Sequence, residues 1–115
     1  MTFLDSTPRP YEPFTVTVVP DRSEVVVVPD GELDLATVGA IDAEVRALLT
    51  AGFGKIVVDL RRLSFMDSAG LRFLVSLRND AARRDFTLKL VPGPREVQRI
   101  FEVTATRGLF AWRDY

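Results

Sequence analysis

Two short runs of β-branched residues constrain the fold of this chain more than any other feature of its sequence. They are residues 25–28, four valines in succession, and residues 56–58, which read Ile-Val-Val. Uninterrupted runs of this kind are typical of strands buried on both faces, as the strands of parallel sheets are. After each run, apolar residues recur three and four positions apart, which is the pattern of an amphipathic helix. Strands that alternate with helices predict an α/β fold.

The N-terminal part of the chain predicts an antiparallel hairpin. Residues 14–19 alternate between apolar and polar side chains, as a half-buried edge strand does. A turn is predicted at residues 20–23, followed by a second strand over residues 24–29. Residues 1–13 contain three of the seven prolines and no periodic apolar pattern. We therefore expect a flexible tail over residues 1–13 and a single domain over residues 14–115.

Three helices are predicted to follow the hairpin. The first begins after a tight loop over residues 30–34, with Asp34 as its N-cap and Leu35 on its inward face, and it ends at residues 52–54. The later predicted elements are a strand over residues 56–60, a loop over residues 61–66, a second helix from residues 67–70 to about Arg84, a strand over residues 86–90, and a third helix opened by Gly93 and Pro94. Residues 109–112 fit either a short strand or the end of a docked helix.

This order of elements, β-β-α-β-α-β-α, predicts a mixed, mostly parallel sheet of four to five strands. Crossovers between parallel strands are right-handed in nearly all proteins, which leaves few alternative topologies. The carboxyl ends of parallel strands share one edge of the sheet with the N-termini of the helices that follow, and α/β domains usually carry their sites there. We therefore expect Asp34, Asp67, Ser68 and Gly93 to converge on that edge.

The composition excludes most kinds of catalytic or cofactor site. The 115 residues include no histidine and no cysteine, so the commonest metal ligand, the commonest general base and any thiolate are missing. A Ser-His-Asp triad cannot form, and Met66 stands where a nucleophile elbow at Ser68 needs glycine. The residues around Asp59 resemble one strand of a phosphoryl-accepting receiver domain. Such a domain also needs an acidic pair after the first strand and a lysine at the end of a late strand, whereas Lys89 lies inside the predicted strand over residues 86–90. We expect no enzyme activity, no metal and no cofactor.

Charge and hydropathy limit the classes of partner and the cellular compartment that we expect for this protein. Fifteen basic and sixteen acidic residues give a net charge of −1, which provides no basic surface for nucleic acid or anionic lipid. The longest purely apolar run in the N-terminal half, residues 25–28, is far too short to span a bilayer. Asp5 and the nearby prolines interrupt any secretory signal. We therefore expect a cytoplasmic protein that contacts neither nucleic acid nor membrane directly.

The segment Asp67-Ser68-Ala69-Gly70 has two interpretations. In the structural one, Asp67 is the N-cap of the second helix, which leaves Ser68 without a role. In the functional one, Ser68 is an exposed hydroxyl at a helix N-terminus, where backbone N–H groups favour a phosphate. Serines are common at helix starts, so the residues alone favour the structural interpretation and leave the functional one open.

Three stretches of the sequence match one known family in order and spacing. They are Gly31-Glu32-Leu33-Asp34 leading to Thr37, the strand over residues 56–60, and Phe65-Met66-Asp67-Ser68-Ala69-Gly70-Leu71. Together they resemble the STAS domain family, and within it the anti-sigma factor antagonists, across about residues 14–112. The resemblance thus covers nearly the whole chain and implies a STAS-like α/β domain.

The resemblance implies a regulatory role for Ser68. In that family, the serine after the motif aspartate is phosphorylated by a partner that is both an ATP-binding serine kinase and an anti-sigma factor. By this match, the unphosphorylated protein binds the kinase and releases the sigma factor, and the phosphorylated protein lets the kinase go. A phosphoserine phosphatase would reset the switch. The alternative is a STAS interaction subunit of a stress-signalling scaffold or transport complex, without phosphorylation.

The resemblance also implies which residues form the partner-binding surface. They are Asp34, Asp67, Ser68, Ala69 and Gly70, with Asp34 near the partner's nucleotide and Asp67 shaping the loop of the acceptor. Many members of the family have serine or threonine directly after the acceptor, where this chain has Ala69. Ser68 is therefore the only hydroxyl within residues 67–70.

Overall fold

In the computed structural model, three helices pack against one face of a mixed five-stranded sheet. The structure describes residues 13–114. Its elements in chain order are β1 (Thr15–Asp21), β2 (Glu24–Leu33), α1 (Val38–Thr50), β3 (Lys55–Asp59), β4 (Leu63–Met66), α2 (Ser68–Arg84), β5 (Thr87–Val91), α3 (Arg95–Val103) and a 3₁₀ helix (Arg107–Leu109). The predicted α/β fold is confirmed. The predicted tail over residues 1–13 lies outside the described residues, except for Pro13.

The second strand is the one that organises the sheet. β1 pairs with β2 in the predicted antiparallel hairpin, and β2, β3 and β5 then run side by side in parallel. β2 has 10 residues and β3 has 5. Val25 near the start of β2 lies opposite Ile56 of β3, whereas residues 31–33 at its end pair in parallel with β4. β2 therefore has a different parallel neighbour along each part of its length.

Residues 30–33 and 63–66, both predicted as loops, are strands that pair with each other. Gly31 lies opposite Leu63, and the register shifts directly after Gly31, which has a φ of 123°. Glycine adopts such an angle without strain, so it accommodates the irregularity that joins the two parts of β2. The prediction was wrong because each segment is too short to show the apolar–polar alternation of a strand, and because its partner strand is remote in the sequence.

The first helix begins later than predicted. Val38 is its first residue and Thr37 occupies the N-cap position, so the assignment of Asp34 as the N-cap is wrong. Leu35, which was expected on the inward face of this helix, precedes the helix and is 77% exposed. Asp34 instead stabilises the turn that leads into α1, which leaves Leu35 and Ala36 outside the helix.

The main hydrophobic core lies between the sheet and the three helices. Val25, Val27, Ile56 and Val58 point towards the helices, and each of the helices contributes buried residues to the same cluster. The helical members are Ile41 and Val45 of α1, Leu71, Leu74 and Leu77 of α2, and Val97 and Phe101 of α3. The apolar spacing read from the sequence therefore corresponds to the buried faces of these helices.

The opposite face of the sheet has its own small cluster of valines. Val26, Val57 and Val91 are each at most 3% exposed there, which confirms that the central strands are buried on both faces. Because side chains alternate along a strand, Glu24 and Lys89 share this face with them, and they form an ion pair at 3.3 Å. Long charged side chains with apolar stems can shield such valines from water.

The chain's last described segment adds to the edge of the sheet beyond β5. After the 3₁₀ helix, Trp112 forms a parallel bridge with Leu90, and its ring packs edge-to-face on Phe101 at 5.1 Å. The next residue, Arg113, pairs with Glu24 at 2.7 Å. Residues 109–112 are therefore the end of a short helix followed by an extended residue, which combines the two alternatives left open by the sequence.

A buried carboxylate connects α1 to α2. Asp80 accepts a hydrogen bond from Arg46 at 2.8 Å and another from Arg83. The hydrogen bond from Arg46 holds the pKa of Asp80 below its usual value, although burial acts in the opposite direction. Arg46 also contacts Asp42 at 3.1 Å on its own helix. The guanidinium of Arg46 therefore pairs with one carboxylate on each of the two helices.

The N-terminus of α2 lies so close to β2 that it has no room for a side chain at Gly70. A Cβ atom there would lie 2.6 Å from Cγ of Met66 and 2.9 Å from the carbonyl oxygen of Leu33. Both distances are shorter than van der Waals contact, and the backbone oxygen cannot rotate away. Gly70 is thus required for the close approach of α2 to the end of β2.

Gly70→Ala is expected to lower the free energy of unfolding by about 1–3 kcal/mol, because the added methyl group overpacks this contact. The loss should appear even though alanine is the better helix former by about 1 kcal/mol. Gly39→Ala in α1 is the matched control, since a Cβ at Gly39 meets nothing within 4 Å. Urea unfolding of both variants measures the difference. Equal stability of Gly70→Ala and the parent would show that the close approach is not needed.

Candidate functional site

The predicted site residues do meet at one edge of the sheet. The backbone N–H of Asp67 donates to the carbonyl oxygen of Leu33 at 3.2 Å, which places the start of α2 beside the end of β2. Asp34 directly follows Leu33, so the two aspartates extend from neighbouring strand ends. Gly93 follows β5 at the same edge but packs against Leu60, two strands away from β2. The site therefore consists of the β2 and β4 ends and the first turn of α2.

Asp67 caps the second helix, as predicted. Its backbone is extended, and its Oδ1 accepts hydrogen bonds from the N–H groups of Ala69 at 2.9 Å and Gly70 at 3.2 Å. The first helical hydrogen bond then runs from Leu71 N–H to the carbonyl oxygen of Asp67 at 3.1 Å. The carboxylate therefore already occupies two of the donors that a helix N-terminus would otherwise offer to an anion.

Ser68 is the first residue of α2 and is exposed. Across residues 13–114, its hydroxyl has no hydrogen-bond partner. The capping interpretation therefore explains Asp67 and gives Ser68 no structural task. An exposed hydroxyl on a rigid helix start is chemically accessible to a modifying enzyme.

Asp34 and Thr37 form a compact turn between β2 and α1. Oδ1 of Asp34 accepts from Ala36 N–H at 3.0 Å and lies 3.2 Å from Oγ1 of Thr37. The Thr37 hydroxyl donates to the carbonyl oxygen of Glu32 at 2.7 Å and accepts from Asp34 N–H at 2.9 Å. One carboxylate oxygen of Asp34 thus holds the turn, while Oδ2 makes no hydrogen bond within the described structure. Asp34 is partly exposed and can contact a partner.

Ala69 and Gly70 form the buried side of the site. Ala69 is 8% exposed, and Gly70 is buried against Leu33 and Met66. Contact of Ala69 and Gly70 with a partner stays a prediction.

A groove between α1 and α2 opens next to Ser68, and the sequence did not reveal it. Its volume is about 390 Å³, and its lining residues are Leu35, Val38, Gly39, Asp42, Arg46, Ala69, Arg72, Phe73 and Ser76. Among residues 13–114, Leu35 is the most exposed of the large hydrophobic residues, at 77%. The helical spacing at Leu35 suggested an inward position, so no sequence signal pointed to an exposed apolar group there.

The carboxylate of Asp59 is held by its own loop. Asp59 is 4% exposed, and it accepts from Arg61 N–H at 3.0 Å and from Nη2 of Arg61 at 2.9 Å. Arg62 forms an ion pair with Asp30 at 3.1 Å. Both arginines therefore stabilise the loop between β3 and β4 through acidic side chains.

Over residues 13–114, no three acidic, histidine or cysteine side chains are grouped so as to hold a metal ion. None of the helices in that range is both long and apolar enough to cross a membrane.

Comparison with known proteins gives a match over most of the chain. The family model described as "Mlab, STAS domain" matches residues 16–110. The anti-sigma-B factor antagonist of Staphylococcus aureus (strain NCTC 8325 / PS 47) is 30% identical over 79 residues, which are 69% of this chain and 73% of that protein.

Solved structures show the same fold. An anti-sigma factor antagonist from Mycobacterium paratuberculosis superposes with a TM-score of 0.78 at 22% identity, covering 87% of this chain and 85% of that one. SpoIIAA, an anti-sigma factor antagonist and Bacillus cell fate determinant, has been solved in two forms. The unphosphorylated form gives a TM-score of 0.70 at 24% identity, covering 90% of this chain and 88% of that one. The phosphorylated form gives a TM-score of 0.65 at 23% identity, covering 90% of this chain and 91% of that one.

The family match spans β1 to Phe110 and includes the β2 end, β4 and the start of α2 that build the site. The relative and the solved structures named above are anti-sigma factor antagonists. This chain therefore belongs to the STAS domain family and is similar, within it, to the anti-sigma factor antagonists.

Proposed function

We propose that this protein is an anti-sigma factor antagonist that is switched by phosphorylation of Ser68. When Ser68 is unmodified, the protein binds an anti-sigma factor that is also a serine kinase, and the sigma factor is released. When Ser68 is phosphorylated, the kinase lets the protein go, and a phosphoserine phosphatase restores the binding form. The protein itself acts as a binding module and performs no catalysis.

The exposed, unbonded hydroxyl of Ser68 is the observation that carries this proposal. The other polar side chains of the turn and the cap are engaged, because Asp67 holds two backbone N–H groups and Thr37 holds the turn before α1. The names of the relatives support the assignment of the class, and one related fold has been solved in a phosphorylated form. Ser68 occupies the position that the sequence resemblance assigns to the phosphoacceptor.

The switch is electrostatic, because the acceptor lies on an acidic edge. Asp34 and Asp67 extend beside Ser68, and a phosphate adds about −1.5 to −2 charges at neutral pH. A partner surface that fits a neutral hydroxyl must then accommodate this charge in a desolvated contact. Like or unpaired charges in such contacts cost several kcal/mol, which lowers the affinity without a change of fold.

Ser68→Ala is expected to abolish phosphate incorporation when the protein is incubated with candidate anti-sigma factor kinases and ATP. Intact-mass analysis measures the gain of one phosphate per chain. Ser64→Ala is the matched control, since Ser64 is an exposed serine on the adjacent strand, and this variant should be phosphorylated like the parent. A full phosphate gain on Ser68→Ala would exclude Ser68 as the principal acceptor.

Phosphorylation of Ser68 is expected to weaken binding to the purified kinase by about a hundredfold or more, since each 1.4 kcal/mol changes affinity about tenfold. Ser68→Asp should weaken binding less, because it carries one charge on a shorter side chain, and Ser68→Ala should bind like the unmodified protein. Calorimetric titration of the four forms at physiological salt measures this order. Equal affinity of the phosphorylated and unmodified forms would favour a STAS subunit without a phosphorylation switch.

Asp34→Asn is expected to weaken kinase binding or phosphorylation while leaving the melting temperature nearly unchanged. The amide oxygen of asparagine can still accept from Ala36 N–H, so the turn is kept and only the charge is lost. Asp85→Asn removes an exposed charge after the far end of α2 and serves as the control. If Asp34→Asn binds and is phosphorylated like the parent, Asp34 serves the turn alone.

A further inference from the structure

We propose that Arg72 is the intramolecular partner of the phosphate on Ser68, with its guanidinium binding the phosphoryl oxygens once Ser68 is modified. This inference rests on the proposed function, because it concerns the modified form of the same serine. It assigns a role to a side chain that neither the motif nor the fold requires.

The spacing of the two residues places them on the same face of α2. Ser68 is the first residue of the helix and Arg72 is the fifth, so they are related as i and i+4. Residues with this spacing have Cβ atoms about 5–6 Å apart. Long side chains on a helix lean towards its N-terminus and cover the preceding turn, so the natural direction of Arg72 is towards Ser68.

Arg72 is also uncommitted in the unmodified protein. It is exposed, and no residue of the range 13–114 forms a hydrogen bond or an ion pair with it. The other arginine of the groove, Arg46, is engaged by Asp42 at 3.1 Å and by Asp80 at 2.8 Å. Arg72 is therefore the groove arginine that can turn towards a new anion without breaking an existing pair.

Two of the backbone donors in the first turn of α2 are already occupied. Asp67 already accepts from the N–H groups of Ala69 and Gly70, so a phosphate on Ser68 would have to displace a carboxylate to reach them. The ionised side chains that flank this point are Asp67 and Asp34 on the sheet edge and Asp42 with Arg46 across the groove. The carboxylates repel a phosphate, so its charge is best compensated by the guanidinium of Arg72.

The chemistry of the pair fits its proposed role. A guanidinium binds phosphate oxygens through two parallel N–H donors, and hydrogen bonds between such charged groups are shorter and stronger than neutral ones. The pair would neutralise part of the new charge and hold Arg72 over the first turn of α2. Phosphorylation would thus change two features of the edge together, the charge at Ser68 and the position of Arg72 beside the groove.

The test uses the full chain with phosphoserine incorporated at position 68 during translation, so that it does not depend on any kinase. ³¹P NMR titration measures the second pKa of the phosphate, which is about 6 for a free phosphoserine. We expect Arg72→Gln to raise this pKa by about half a unit, since the pair stabilises the dianion. Arg72→Lys keeps the charge but loses the paired donors, and it should restore part of the shift.

Arg84→Gln is the matched control. Arg84 is an exposed arginine in the last turn of the same helix, and it lies about 24 Å from Ser68 along the axis, beyond the screening length at physiological salt. This variant should leave the phosphate pKa unchanged. The melting temperatures of the unphosphorylated variants should match the parent, because neither arginine has a partner in the described structure.

An unchanged phosphate pKa in Arg72→Gln would overturn the inference, and so would equal shifts in Arg72→Gln and Arg84→Gln, which would indicate a general charge effect. These outcomes are distinct from a failure of the proposed function. If no kinase modified Ser68, the proposed switch would be excluded. The pairing of Arg72 with the phosphate, measured on the incorporated phosphoserine, would be unaffected by that result.

Discussion

The pairing of the end of β2 with β4 is the constraint on which the functional edge depends. This pairing joins residues 31–33 to residues 63–66. Beyond it, the N–H of Asp67 donates a hydrogen bond to the carbonyl oxygen of Leu33 at 3.2 Å. Asp34 and Asp67 therefore leave the sheet side by side. The first turn of α2 then packs so closely against the same strand end that Gly70 has no space for a Cβ. Strand pairing and helix packing thus position one cluster of side chains.

This arrangement makes the edge rigid and restricts what can change there. Asp67 is held by two backbone N–H groups, and Asp34 is held by the turn that Thr37 completes. The Ser68 hydroxyl lies next to these engaged groups and has no partner within the described residues. The proposed phosphorylation of Ser68 would therefore alter the charge of a surface whose backbone is already fixed, as the proposed change of affinity requires. The groove beside it extends this surface towards α1, with Leu35 exposed at its rim.

Much of the fold could be read from local patterns because their physical causes are local. The runs at residues 25–28 and 56–58 are strands, since an uninterrupted β-branched run suits a strand buried on both faces. The cap at Asp67 was correct, because the side chain reaches N–H groups only two and three residues away. The predicted start of α1 was wrong, because the Asp34 carboxylate accepts a hydrogen bond from Ala36 N–H in a turn that precedes the helix. Leu35 then fell outside the helix although its spacing fitted one.

The sequence by itself determined the α/β class, the order of the main elements and the identity of Asp34, Asp67 and Ser68 as the polar residues of the edge. These follow from hydrophobic periodicity, from capping chemistry and from the family motif, each of which depends on residues close together in the sequence. The tertiary structure alone decided that residues 31–33 pair with residues 63–66 and that a groove lies between α1 and α2. It also decided that, within residues 13–114, Arg46 has charged partners while Arg72 has none. Each of these depends on contacts between segments remote in the chain, and only packing determines which polar groups meet a partner and which are left exposed.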